Sequence, residues 1–378
     1  MIWQVPLFKL HFEDEEKQAV LEVLDSGWIS AGEKTRAFEE QFAAMTGARH
    51  AVAVNSGTAA LHLCALALGI GPGDEVIVPS LTFAATANAM YYTGARPVFA
   101  DIVSPEDLTI SPRDIERKIT KRTKAIVVMH YGGFACDLDE IIPMAESRGL
   151  TVIEDAAHAP GARHHGKALG TFGSAGAFSF YSNKNITTAE GGMVVTDSDQ
   201  VARQAALLRS HGMTASSYDR AMGHASTYDI AQVGYNYRLD DIRAAIGIVQ
   251  LGRLTDDLDR RKSLVALYHR RLSEIGGITV PFLDKVEGSS NYILPIVLNE
   301  GCRIGRDELR QRLEADFGIQ TSVHYQPVHK FSQYSDPASV LPVTEHVAAL
   351  ELTLPLFYGM QEAEVDYVCS SLMKILSE

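Results

Sequence analysis

At 378 residues, and at roughly 150 residues per domain, the chain is long enough for two domains, one of them large. Hydrophobic residues make up 46% and charged residues 21%, ordinary globular usage that excludes a disordered or fibrous chain. The net charge of −13, from 34 basic and 47 acidic residues, works against contact with a polynucleotide backbone, although a local pocket for one small anion stays open.

The N-terminal stretch MIWQVPLFKLHFEDEE turns acidic where a secretory leader is apolar. The longest nearly apolar run, 59–70, contains His62 and is too short to span a bilayer, so a cytoplasmic protein without a membrane segment is expected. Cys64, Cys136, Cys302 and Cys369 form no CxxC pair and read as small buried hydrophobes rather than zinc or redox ligands.

Helices are predicted over 14–26 and 34–46, where Ala19, Val20, Val23 and Leu24 keep helical spacing and Gly27 and Gly47 act as stops. From residue 50 short apolar runs alternate with helical patterns. Strands are expected at HAVAV (50–54), EVIVP (75–79), RPVFA (96–100), KAIVVM (124–129) and LTVIE (150–154). Helices are expected between them, at 58–69, 83–93, 112–119 and 137–148. This β-α-β rhythm predicts an α/β fold with a mainly parallel sheet covered on both faces. Two further strands, GAFSFY (176–181) and GMVVT (192–196), are separated by a polar loop. The region 197–277 is mostly helical, with a polar, aromatic-dotted interruption at 212–238. A second α/β unit follows, with a strand at 292–298 and helices at 305–317 and 361–376. The domain boundary is placed near 250, giving a large unit 1–250 and a small C-terminal unit 251–378.

Ligands of such sheets sit at the carboxyl ends of the strands, and four loops there carry chemistry. NSGTAAL follows a strand and opens a helix, so Ser56, Gly57 and Thr58 offer free N–H groups and hydroxyls for a phosphate; helix capping by Ser56 is the plain alternative. In EDAAH, Asp155 ends an apolar strand, a costly place for a carboxylate without a cationic partner such as a protonated ring nitrogen; a helix N-cap is the other reading. In FSFYSNKNITTAEGG, Lys184 stands among small polar residues including Ser179, and a nucleophilic lysine there must shed its proton. In SLTFAATANA, Phe83 is placed to stack on a flat heteroaromatic ring, or else to join the core. A phosphate seat, a carboxylate for a pyridinium, an aromatic face and a reactive lysine together ask for pyridoxal phosphate.

From SGWISAGEKTRAFEEQFA through NSGTAALHLCALALGIGPGDEVIVPSLTF, IEDAAHAPGA, GTFGSAGAFSFYSNKNITTAEGGMVVT, LRSHGM, GYNYRLDDIRAAIGIVQL and VHYQPVH, the chain resembles the DegT/StrS-type sugar aminotransferases. These are pyridoxal-phosphate enzymes with the aspartate-aminotransferase-like fold, and the likeness covers nearly the whole chain. It implies a seven-stranded-type, mainly parallel sheet in the large domain. It makes Lys184 the lysine that bonds to the cofactor and Asp155 the partner of the pyridine nitrogen. His158 fills the position beside the ring's phenolic oxygen, Ser56, Gly57, Thr58 and Ser179 hold phosphate, and Phe83 stacks. Asn236 resembles the residue that reaches the phosphate from the neighbouring subunit, which implies a homodimer with shared active sites. Tyr237, Arg238, His324, Tyr325 and His329 correspond to the sugar-nucleotide side. Ala189 departs from the glycine common before the EGG turn.

The implied reaction moves an amine from an amino acid, typically L-glutamate, to a nucleotide-linked keto-sugar, with a lean towards a 4-keto-6-deoxyhexose. Alternatives are a keto-cyclitol or 3-keto sugar as acceptor, or a non-catalytic regulator that binds the same cofactor. A sugar dehydratase of this fold would carry His at the position of Lys184. GARHHGKA fits GxxxxGK but has Ala168 where magnesium needs Ser or Thr, and GIGPG breaks the dinucleotide spacing. His324 and His329 read either as substrate residues or as surface histidines; no carboxylate or Cys lies at ligand spacing, so no metal site is expected.

Overall fold

The computed structural model describes residues 3–335 and 339–378. Residues 1–2 and 336–338, which fall in the N-terminal stretch and in the C-terminal unit of the sequence reading, lie outside the described residues. Two helices lead, α1 (Asp14–Ser26) and α2 (Glu33–Thr46), each stopped by a glycine with positive φ, Gly27 at 73° and Gly47 at 76°. The alternating region then gives β1 (His50–Val54), α3 (Gly57–Ala67), β2 (Glu75–Pro79), α4 (Ala85–Tyr92) and β3 (Arg96–Ala100). It continues with α5 (Pro112–Lys118), β4 (Thr123–Met129), α6 (Leu138–Ser147) and β5 (Thr151–Asp155). A two-residue hairpin, β6 (Arg163–His164) and β7 (Lys167–Ala168), precedes β8 (Ala175–Ser179) and β9 (Gly192–Thr196).

Seven of these strands form one sheet in the order β1-β9-β8-β5-β4-β2-β3. Every pairing in it is parallel except the two made by β9, so β9 alone runs against the rest. Side chains alternate across it as the period of two demands. Val52, Val54, Val76, Val78 and Val127 face a core shared with α3, α4 and the helix α7 (Asp199–Arg209). Ala53, Ile77, Ile126 and Val128 face Phe38 and Phe42 of α2, Ile115 of α5 and Ile141 of α6. Helix α3 is buried over most of its surface, which is why its sequence is apolar all round rather than striped.

The interruption at 212–238 holds one short helix, α8 (Ser217–Ala221). Then α9 (Asp241–Gly252) and α10 (Leu254–Leu272) follow with Arg253 between them. Leu264, Val265, Tyr268 and Leu272 of α10 enter a separate core with α11 (Arg306–Phe317), α13 (Glu362–Ser377) and an antiparallel three-stranded sheet. That sheet is β10 (Ile278–Thr279), β11 (Leu294–Leu298) and β12 (Glu351–Leu354), with β11 in the middle.

Two differences from the sequence expectation bear on function. The strand expected over 176–181 ends at Ser179, because Phe180 N–H bonds to Gly191 and Thr188 N–H returns to Phe180, closing the following residues into a loop. No element was expected between 317 and 361, yet α12 (Pro342–Leu350) and β12 lie there. All four residues of β12 are buried; its sequence Glu-Leu-Thr-Leu does alternate polar and apolar types, but over only four residues and with Glu351 and Thr353 buried rather than facing solvent.

The loop before β8 is held by Glu154, which is fully buried and accepts N–H bonds from Gly170, Phe172 and Gly173 as well as a bond from His130. Glu154→Ala strands those donors in the core. It is expected to cost about 3–5 kcal/mol, read as a lowered urea midpoint.

Candidate active site

Because β1, β2, β5 and β8 run the same way, the loops that leave their carboxyl ends lie on one edge of the sheet. Ser56 is the N-cap of α3, its Oγ accepting the Ala59 N–H at 3.1 Å. Capping uses only an acceptor lone pair, so the hydroxyl hydrogen and the first-turn N–H groups of Gly57 and Thr58 remain available to an anion. A Cβ at Gly57 would sit 2.8 Å from the Ser179 Cβ, and one at Gly192 would sit 2.4 Å from the Ser56 carbonyl oxygen. These glycines therefore let the end of β8 and the start of β9 close onto the start of α3, which brings Ser179 beside Gly57.

Asp155, the last residue of β5, is 4% exposed. Its carboxylate accepts the Thr86 hydroxyl at 2.7 Å and the Ala157 N–H at 3.2 Å. Among the described residues no basic side chain pairs with it at salt-bridge distance. Burial accordingly raises its pKa, against the opposing pull of these two hydrogen bonds and of Lys184. The Lys184 ammonium lies 4.3 Å from the ring centroid of Tyr292. Desolvation lowers its pKa from 10.5 to about 7, with Asp155 acting the other way.

His158 is buried between Tyr292, with ring centroids 4.3 Å apart, and Tyr325. Its Nδ1 accepts the Gly132 N–H at 3.2 Å, and its Nε2 meets the Tyr325 hydroxyl at 2.9 Å. Burial and the Lys184 charge hold this imidazole well below its ordinary pKa, hence neutral. With Nδ1 accepting, the single ring proton is on Nε2 and is donated to the Tyr325 oxygen. The Tyr325 hydrogen is thereby left for another acceptor. Burial keeps that phenol protonated.

Phe83 is 60% exposed on the loop after β2, with its ring 6.1 Å from that of Tyr325. His324, beside Tyr325 in the chain, is buried and hydrogen-bonds to Thr353 at 2.8 Å. His329 is 2% exposed, held by Ser80 at 2.6 Å and Glu345 at 3.2 Å. Neither histidine is a surface group. Tyr237 reaches His62, hydroxyl to Nδ1, at 3.2 Å, and Arg238 donates to Ser210 at 3.2 Å. Asn236 is exposed, and its carbonyl accepts the Asn55 side chain at 3.3 Å, which sets it next to the Ser56 loop of its own chain.

The structure thus gathers Lys184, Asp155, His158 and Tyr325 within electrostatic or hydrogen-bonding reach of one another, and the Ser56, Gly57, Thr58 and Ser179 group at the start of α3. Three contributors escaped the sequence reading. Thr86 lies inside the quoted SLTFAATANA loop and only its bond to Asp155 reveals it. Tyr292 and Ser290 come from far along the chain, and no local pattern marks them. Ser290 donates to the His158 carbonyl.

The pyridoxal phosphate expected from the sequence fits these residues. A buried carboxylate without an ionic partner suits a protonated ring nitrogen, the glycine-lined end of α3 suits a phosphate, and a desolvated lysine suits a carbonyl carbon.

Residues 11–373 match the model of the DegT/DnrJ/EryC1/StrS aminotransferase family. The spore coat polysaccharide biosynthesis protein SpsC of Bacillus subtilis (strain 168) is 41% identical over 369 residues, which is 96% of this chain and 94% of that protein. Among solved structures, Helicobacter pylori PseC, an aminotransferase involved in pseudoaminic acid biosynthesis, is 29% identical with a TM-score of 0.91, over 99% of both chains. DesI, solved in the presence of its TDP-sugar product, is 31% identical with a TM-score of 0.87, over 98% of this chain and 92% of that one.

The Lys184 shift has a thermodynamic signature in cofactor-free protein. Below pH 7 the amine is charged in both folded and unfolded chains, and the cost of burying the charge is fully present. Between about 7 and 10.5 only the unfolded chain keeps the proton, so folding stability rises with pH across that window. Lys184→Met is expected to flatten this rise, as measured by urea midpoints at pH 7 and 9.5.

Proposed function

Because the chain belongs to the DegT/DnrJ/EryC1/StrS aminotransferase family, we propose that it transfers the amine of L-glutamate to a keto-sugar carried on a nucleoside diphosphate. By that membership it is a pyridoxal-phosphate-dependent sugar aminotransferase. The finer reading takes a 4-keto-6-deoxyhexose as acceptor and a homodimer in the cytoplasm as the working form. It also takes residues 1–250 as the cofactor-binding unit and 251–378 as the smaller one. The product sugar of DesI and the polysaccharide role in the name of SpsC support a nucleotide sugar as substrate. No helix among the described residues is long and apolar enough to cross a membrane.

The observation that carries this reading is that Lys184 and Asp155 are both buried within electrostatic reach of one another without forming an ion pair, each shifted towards its neutral form by burial and drawn back by the other's charge. Ser56, Gly57, Thr58 and Ser179 would hold the phosphate, Asp155 the ring nitrogen, Phe83 a ring face, and His158 the side of the phenolic oxygen. In that place the cofactor supplies an electron sink that acidifies the carbon–hydrogen bond next to the transferred nitrogen. Lys184 Nζ, with a pKa of about 7, can both take a proton and return one near neutral pH, which is what a general acid/base requires. Asp155 favours a positive charge on its partner, and Thr86 fixes the carboxylate so that little reorganisation is needed. Tyr292 shields one side of the Lys184 amine from water. For the homodimer, the support is the exposed Asn236 beside the Ser56 loop and a neighbouring run, Tyr228, Ile230 and Val233, whose side chains are exposed.

The test is the absorption spectrum of the loaded protein before and after L-glutamate. A visible band that bleaches on addition is expected, and a protein that takes up no pyridoxal phosphate would sink the reading. Lys184→Ala should abolish turnover. Asp155→Asn should still bind cofactor yet react about 10²-fold or more slowly, measured as the rate of bleaching; a wild-type rate would return Asp155 to a purely structural role.

A further inference from the structure

Glu351 opens β12 and is fully buried. Its Oε2 accepts the His324 backbone N–H at 2.8 Å, and its Oε1 bonds to the Thr353 hydroxyl at 2.6 Å. The same hydroxyl meets His324 Nδ1 at 2.8 Å. The Tyr131 hydroxyl, donating to the His324 carbonyl, pins the backbone from the other side. No hydrogen bond reaches His324 Nε2 from the described residues, and His324 lines a small cavity. Phe8, Asn183 and Tyr292 line that small cavity beside His324 and Thr353, next to Lys184.

A hydroxyl has one hydrogen, so the direction of this chain of bonds is decided at one end. We propose that Glu351, Thr353 and His324 form a proton relay in which the protonation of Glu351 decides whether His324 offers the substrate a donor or an acceptor nitrogen. This rests on the aminotransferase reading for its substrate, but not for its wiring. With Glu351 protonated, the proton must sit on Oε1, since Oε2 faces an N–H. Oε1–H then donates to Thr353, Thr353 donates to Nδ1, and Nε2 carries the ring proton into the cavity. When Glu351 ionises, its proton passes to Thr353 Oγ, the Thr353 hydrogen passes to Nδ1, and the Nε2 hydrogen leaves to a base in the cavity. One proton is lost in all, and it leaves at Nε2, although Glu351 itself never meets solvent.

His324 stays neutral throughout, since burial and the Lys184 charge push its pKa down to about 3. Burial pushes Glu351 up to about 8, against the Thr353 and His324 hydrogen bonds and the Arg306 charge. The other titratable groups that face the relay are Tyr131, Tyr325, Lys184 and His158, the last kept neutral by burial. At neutral pH the donor form therefore prevails, suited to a phosphate, carbonyl or hydroxyl oxygen of the nucleotide keto-sugar. Glu351 and Thr353 are positioning residues that act through His324.

The experiment is histidine ¹⁵N spectroscopy of cofactor-free protein at pH 6.5 and 9.5, with the His324 signals identified by their loss in His324→Gln. The ring proton is expected on Nε2 at the lower pH and on Nδ1 at the higher. In Glu351→Gln the amide NH2 replaces the Oε1 proton permanently, so Nε2–H should persist at both. Thr353→Val should uncouple the tautomer from pH, and Thr353→Ser should restore the coupling. On loaded enzyme, kcat/KM for a nucleotide keto-sugar should fall roughly three- to tenfold through pH 8 in wild type and Thr353→Ser. In Glu351→Gln and Thr353→Val it should lack that step. A His324 tautomer that is the same at both pH values, or a Thr353→Val protein that titrates like wild type, overturns the relay. Bleaching by L-glutamate, followed in parallel, reports on the aminotransferase reading separately, and the tautomer measurement stands even if that reading fails.

Discussion

Two adjacent carboxylates at the end of β5 set the terms for the rest of the structure. A strand turns successive side chains to opposite faces, so Glu154 and Asp155 enter different sides of the sheet although both are buried. Glu154 is answered completely, by three backbone N–H groups and His130, and in return it fixes the path of the chain into β8. Asp155 receives only a hydroxyl and one N–H. The difference separates a structural carboxylate from one whose charge is left to act on the cavity. Burial of an unpaired charge is costly, and here the cost is concentrated where a cationic group is wanted.

The titratable groups near Asp155 and Lys184 are otherwise neutral or easily made so. Lys184 is brought near neutrality by desolvation, and His158 and His324 are kept unprotonated by burial and by the lysine itself. A second full charge would compete with Asp155 for the same partner, so neutrality of the histidines keeps the field of that carboxylate undiluted. Each imidazole is also fixed in direction by the bond on its inner nitrogen, from Gly132 in one case and Thr353 in the other. Polar groups held in this way lose little freedom when a substrate arrives, which is the condition for electrostatic preorganisation.

The fixing bonds come from distant parts of the chain. Tyr292 and Ser290 precede β11, and Glu351 and Thr353 lie in β12, so the small antiparallel sheet feeds side chains into a cavity built at the edge of the large one. Asn185 beside Lys184 donates to the Ser290 carbonyl, and Ser290 in turn holds the His158 carbonyl. The lysine loop and the histidine turn are therefore tied to the same short segment.

Local physics was enough for much of this. The alternation of apolar runs and helical patterns from 50 to 196 located the strands of the main sheet to within a residue or two, since each strand is short, apolar and bounded by turn residues. The loops carrying Ser56, Asp155 and Lys184 were legible for a related reason: a polar or reactive residue after a buried strand stands out against its neighbours. What sequence could not decide was pairing across distance. Strand β12 offers only four alternating residues whose polar members turn out to be buried, Thr86 is an ordinary threonine until Asp155 is placed against it, and His329 looks exposed until Ser80 and Glu345 enclose it. Sequence therefore determined the order of the elements and the residue types at the sheet edge, because those follow from local periodicity and turn chemistry. Tertiary structure alone decided which nitrogen of His158 carries its proton and which carboxylate goes unpaired, because desolvation and hydrogen-bond direction exist only once remote segments have packed together.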